Sequence, residues 1–162
     1  MKNLILIRHS KSSWETPLND KDRHLSSRGV KDAHLVSSII LKYLPKNFVI
    51  LSSTAKRAVE TSKIFAQNLL CPLESIIFKE KLYTFDEDQL EQTIKDCNND
   101  YENVILFGHN AAITNFVNKF GDIFIENVPT SGLVSINFDC DSWKLLSKGK
   151  TQKMVFPRDL KL

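Results

Sequence analysis

Two histidines, each set just past an apolar run and beside polar groups, are the residues of this chain best placed to do chemistry. His9 follows Leu4-Ile5-Leu6-Ile7-Arg8, and His109 follows Val104-Ile105-Leu106-Phe107-Gly108. A third apolar run, Phe48-Val49-Ile50-Leu51, leads into Ser52, Ser53, Thr54, Lys56 and Arg57. Histidine titrates near neutrality and serves as a nucleophile when its ring is uncharged. Arginine offers a planar fork that holds two phosphate oxygens at once. Histidines among arginines and hydroxyls therefore point to an anion site of the kind that binds phosphate.

Each of these residues also has a plainer reading. Arg57 lies three residues before Glu60 and is spaced to pair with it on a helix surface. A lone histidine after a strand is more often structural than reactive. What favours the functional reading is coincidence, since independent structural roles do not require both histidines and both arginines at corresponding positions. A metal site is disfavoured, because no carboxylate or cysteine accompanies either histidine and the neighbouring arginines repel a cation.

The elements that must position these groups are legible from periodicity. The three continuous apolar runs have strand length and suit strands buried on both faces. Val30, Ala33, Val36, Ile40 and Tyr43 recur at helical spacing, with Ser26 or Ser27 as cap and Pro45 as stop. Ala58, Val59, Phe65, Ala66 and Leu69 form a second stripe. Asp86 and Gln89 read as a capping box opening a third helix with Leu90, Ile94 and Cys97 inward. Ile113, Phe116, Val117 and Phe120 mark a fourth, ended by Gly121. Leu73 to Phe78 reads as a further strand, and Leu133 to Phe138 with Trp143 to Leu146 as a hairpin around Asp139-Cys140-Asp141-Ser142. Alternating strands and helices predict a three-layer α/β/α sandwich with a mainly parallel central sheet. In such sheets the ligand crevice lies beyond the carboxyl ends of the strands, where Arg8, His9, Arg57 and His109 all fall.

Composition narrows the class. The 162 residues, 42% of them hydrophobic, are expected to form a single domain over 1–162. Lys and Arg number 22 against 19 Asp and Glu, spread along the chain, so neither a nucleic-acid nor a membrane partner is expected. Cys71, Cys97 and Cys140 form an odd set without C-x-x-C spacing, which argues against a disulfide framework and a zinc site. The apolar run after Lys2 is too short for a signal peptide, and no stretch is long enough to cross a bilayer. A cytoplasmic monomer is the expectation.

Leu6-Ile7-Arg8-His9, then Ser52-Ser53-Thr54-Ala55-Lys56-Arg57-Ala58-Val59-Glu60-Thr61, then Gly108-His109-Asn110 resemble the histidine phosphatase superfamily, whose fold is phosphoglycerate mutase-like. That family closes its first strand with Arg-His, opens a helix with S-x-x-x-R-x-x-x-T and places Gly-His after a later strand. Within it the chain looks most like the short SixA-type phosphohistidine phosphatases, through Arg8-His9-Ser10-Lys11-Ser12-Ser13-Trp14 and Asp22-Arg23-His24-Leu25-Ser26-Ser27-Arg28-Gly29. Ser10 stands where Gly or Ala is commoner, and His24 replaces a frequent proline.

The resemblance implies that His9 is a nucleophile forming a covalent phosphohistidine, and that Arg8, Arg57 and a protonated His109 hold the equatorial oxygens, with no metal and no cofactor. It implies Ser10, Ser12 and Asn110 as substrate-binding neighbours. Relatives that cleave esters use a carboxylic acid to protonate the leaving alkoxide. Glu80, Asp86 and Glu87 are weak candidates here, the acidic run being more simply a helix start. A missing acid points toward phosphohistidine in proteins, such as a phosphotransfer domain, because imidazole leaves with less help. The alternatives are a broad small-molecule phosphomonoesterase acting on small phosphate esters and a non-catalytic phosphate-binding module. Trp14 and Tyr83 are candidates for the rim, and His34 reads as structural.

Overall fold

The computed structural model describes residues 1–161. Six strands form one sheet: β1 (Lys2–Arg8), β2 (Val49–Ser53), β3 (Ile77–Lys79), β4 (Asn103–Gly108), β5 (Leu133–Phe138) and β6 (Lys150–Val155), in the spatial order β3-β2-β4-β1-β5-β6. The first four are parallel to one another, whereas β5 and β6 run antiparallel along one side. Helices α1 (Ser27–Ile40), α2 (Lys56–Asn68), α3 (Glu87–Lys95), α4 (Ala112–Phe120) and the short α5 (Pro157–Leu160) cover the two faces.

The apolar runs are continuous because the central strands are buried on both sides. Successive strand residues point to opposite faces, so Leu4 and Leu6 join Val104, Leu106, Leu90, Ile94, Phe116 and Val117 under α3 and α4. Ile5 and Ile7 join Ile105, Phe107, Val36, Ile40, Phe65 and Ala66 under α1 and α2. This is the three-layer α/β/α sandwich that the alternation predicts.

The local signals act as expected at several ends. Ser26 is the cap of α1, its side chain accepting from Gly29 N–H, and Asp86 caps α3 by accepting from Gln89 N–H. Helix α1 stops at Ile40 and tightens into a 3-10 turn over Leu41–Tyr43, leaving Tyr43 exposed, and Val30 lies at the exposed edge of its helix. The Leu73 to Phe78 segment divides into a 3-10 turn and β3, which begins only at Ile77.

The expected hairpin differs. Trp143–Leu145 is a 3-10 turn, and the partner of β5 is β6. Trp143 is fully buried in the core, with its indole N–H donating to Tyr101 O at 2.7 Å, so its burial serves a turn and not a strand. The true partner, Lys150-Thr151-Gln152-Lys153-Met154-Val155, is an edge strand of mostly polar residues whose sequence carries no apolar run.

Candidate active site

The parallel pairing of β1 with β4 puts Arg8 opposite Gly108, and His9 N–H donates to Gly108 O at 3.1 Å. The next residue on each chain is a histidine, so the two rings lie side by side with centroids 5.1 Å apart. Strand β2 flanks β4 on its other side and ends at Ser53, from which Thr54 and Ala55 turn the chain into α2 with Arg57 in its first turn. Three strand ends thus meet at one place, as the α/β crevice rule requires.

His9 is 8% exposed. Its Nδ1 lies 2.7 Å from Ser10 O, and since a carbonyl only accepts, Nδ1 must carry the proton. Nε2 then has a free lone pair, which accepts from Arg57 Nε at 3.3 Å. Burial, followed by the charges of Arg57, Arg8 and Arg23, pushes the His9 pKa down to about 3 despite the Ser10 bond. The environment therefore favours the neutral ring, with its lone pair on Nε2.

Arg57 is almost fully buried and does not pair with Glu60. Its Nη1 donates to Asp20 O at 2.6 Å and its Nη2 to Asp20 Oδ2 at 3.0 Å. Glu60 instead accepts from Leu25 N–H at 2.8 Å and lies near His24. Arg8 donates from Nη1 to Val128 O at 3.0 Å, while its Nε is buried without a partner among the described residues. Burial and the nearby Arg57 lower the pKa of Arg8.

His109 is 1% exposed, and tyrosine and phenylalanine edges from Tyr83 and Phe85 pack against its ring at 5.4 and 5.5 Å. Burial, then His9 and Arg57, pushes its pKa down to about 2. Desolvation and the surrounding cations thus oppose the protonated His109 that the resemblance implies. Its Nε2 lies 2.8 Å from Ser53 Oγ.

Of the expected substrate-binding side chains, Ser10 and Asn110 are hydrogen-bonded within the protein. Ser10 Oγ is 2.5 Å from Ser131 Oγ, and the Ser10 N–H donates to Thr61 Oγ1 at 2.9 Å, which fixes the segment after His9. Ser12 is buried and forms an isolated backbone bridge with Leu25. Asn110 donates to Asn127 Oδ1 and Val128 O and accepts from Thr114 N–H and Oγ1, which fastens α4 to the 127–128 loop. The Ser10 hydroxyl and the Asn110 amide thus hold loops around the pocket.

Two charged residues in the pocket went unread. Asp20, in a 3-10 turn over Asp20–Asp22, accepts from Arg57, from Arg23 Nη2 at 3.2 Å and from the Tyr83 hydroxyl at 2.5 Å. Burial works to raise its pKa but is outweighed by the hydrogen bonds of Tyr83 and Arg57 and the Arg57 charge, which bring it to about 2. Arg23 is buried, stacks its guanidinium 3.6 Å over the exposed Trp14 ring and leaves Nε and Nη1 unpartnered among the described residues. The Asp20 turn has no periodic signal, so only its position in space reveals it. Arg23 lies inside the Asp22 to Gly29 block and was there to be noticed as a third arginine.

Each of the weak acid candidates already has a partner. Glu80 is held by Lys21 Nζ at 2.8 Å and Thr54 Oγ1 at 2.6 Å, which lower its pKa. Asp86 caps its helix, and Glu87, though raised by burial, faces Lys119 at 3.8 Å. His34 bonds Asn68 at 3.0 Å, away from the pocket.

The chain is similar to known proteins in both sequence and fold. Residues 4–96 match the model of the histidine phosphatase superfamily, branch 1. An uncharacterised protein of Mycobacterium leprae is 26% identical over 163 residues, covering 93% of this chain and 98% of its own. The structure of the protein histidine phosphatase SixA complexed with tungstate superimposes with a TM-score of 0.82 at 18% identity, covering 98% of this chain and 99% of the other. A SixA-type chain of Agrobacterium tumefaciens superimposes with a TM-score of 0.78 at 22% identity, covering 95% and 97%.

Proposed function

Because the chain belongs to the histidine phosphatase superfamily, we propose that it hydrolyses phosphoryl groups through His9, with phosphohistidine in a protein as the substrate. The observation that carries the reading is the state of His9: Nδ1–H is tied to Ser10 O, so Nε2 holds its lone pair toward the arginines. Nε2 attacks phosphorus in line, the bond to the leaving nitrogen breaks with its electron pair, and that nitrogen takes a proton from solvent. Water then attacks the phosphohistidine, phosphate departs, and Nε2 recovers its lone pair. Arg8, Arg57 and His109 surround the phosphoryl oxygens and stabilise the charge that develops there.

The substrate class follows from the acids. Asp20, the carboxyl group that meets Arg57, is held as an anion, and Glu80 is lowered as well, so neither is poised to protonate an alkoxide. An imidazole leaving group removes that need. The match to the SixA fold supports the same class. No helix among the described residues is long and apolar enough to span a membrane, and Cys71, Cys97 and Cys140 are free thiols.

The test presents the protein with a phosphohistidine-bearing phosphotransfer domain and with a simple phosphate ester, comparing wild type with His9→Ala. Rapid loss of phosphohistidine that requires His9 and is indifferent to chelator is the expected result. Ester hydrolysis alone shifts the reading to a general phosphomonoesterase, and full activity of His9→Ala overturns the nucleophile.

A further inference from the structure

His109 and Ser53 form a pair whose hydrogen-bond count fixes where the ring proton sits. Both are buried, with Ser53 at 0% exposure, and His109 Nε2 to Ser53 Oγ is 2.8 Å. Ser53 Oγ also accepts from Ala55 N–H at 3.1 Å. A hydroxyl has one proton to give and two lone pairs to receive with. Were Nε2–H to donate to Ser53, both lone pairs would be filled and the hydroxyl proton would have no acceptor among the described residues in a closed interior, an arrangement proteins avoid. With Ser53 donating to Nε2, both Oγ and Nε2 are satisfied, and a neutral ring must then carry its proton on Nδ1, which is the one group left open where the other arrangement leaves two, the hydroxyl proton and the Nδ1 lone pair. That atom is buried and has no protein partner among the described residues.

We propose that Ser53 is a positioning residue that holds His109 as the Nδ1–H tautomer, so that an uncharged imidazole presents a fixed donor to a phosphoryl oxygen beside His9. This rests on the reading of His9 as the nucleophile. The unpartnered Nδ1–H belongs to a ring 5.1 Å from that of His9, and the oxygen of an arriving phosphoryl group completes its bonding. Both histidines are then the same tautomer used in opposite senses. His9 is anchored through its N–H and exposes a lone pair, whereas His109 is anchored through its lone pair and exposes an N–H. No proton has to be recruited before substrate arrives, which suits a pocket where cations disfavour imidazolium.

Long-range proton–nitrogen NMR on histidine-labelled protein without phosphate reads the tautomer directly. At neutral pH the His109 signals are expected to show a protonated Nδ1 and a bare Nε2, and a protonated Nε2 in wild type overturns the proposal. In Ser53→Ala the Nδ1–H tautomer is expected to lose its dominance, and kcat to fall roughly 10- to 100-fold with KM changed less than about 3-fold. An unchanged kcat in that variant, with the tautomer likewise unchanged, also overturns it. Because the tautomer is read in the resting protein, a failure of the nucleophile shows separately, as full activity of His9→Ala.

Discussion

Arg57 has both terminal nitrogens on Asp20 before any substrate is present, and Arg23 shares the same carboxylate. An incoming phosphoryl dianion therefore meets a resident anion that is charged at every pH above about 2. Replacing Asp20 by Asn keeps the shape and removes the charge. Inhibition by inorganic phosphate or tungstate is expected to tighten roughly 3- to 10-fold in Asp20→Asn, as read from inhibition constants, and weaker inhibition would show that Asp20 orders the arginines more than it competes. At this scale the sequence is informative where a residue directly follows a strand, which is why Arg8, His9 and His109 stand out. It is silent on Asp20, whose loop has neither period nor motif, and on the charge of His109, which depends on burial that no local pattern records.

The rim that carries Asp20 and Arg23 is fixed by a short backbone ladder. Ser13 N–H donates to His24 O at 2.7 Å, Ser26 N–H to Lys11 O at 2.8 Å, and Ser12 bridges Leu25. Helix α1 begins against this ladder, where Gly29 lies so close that a Cβ there would strike the Lys11 carbonyl oxygen. Backbone cannot give way as a flexible side chain does, so Gly29→Ala is expected to destabilise by about 1–3 kcal/mol and to weaken substrate binding by displacing the rim. Urea unfolding and KM check the two effects, and a variant with wild-type values for both would show that the ladder tolerates the shift. The helices and central strands were legible because each buries a periodic or continuous apolar face. The edge strand β6 was not, because an edge has little to bury, and the buried Trp143 drew the hairpin to the wrong segment.

Stability of the whole molecule registers the two buried histidines. Unfolded histidines bind protons near pH 6.5, while in the fold His9 is brought to about 3 and His109 to about 2. The unfolded chain thus holds more protons between those values, and stability is full above pH 6.5 and lost as pH falls through that window. Each ring contributes a slope of up to about 1.4 kcal/mol per pH unit. Unfolding by denaturant in phosphate-free buffer at pH 7 and pH 5 is expected to show a shallower loss in His109→Gln than in wild type, and equal slopes would place the titration elsewhere. The register that seats Arg8 opposite Gly108 has a consequence of another kind. Neighbouring strands lie about 4.8 Å apart in any sheet, and the histidine rings lie 5.1 Å apart. The spacing of the two rings thus follows that of the strands ending beside them, and so rests on the peptide lattice more than on which side chains fill the core.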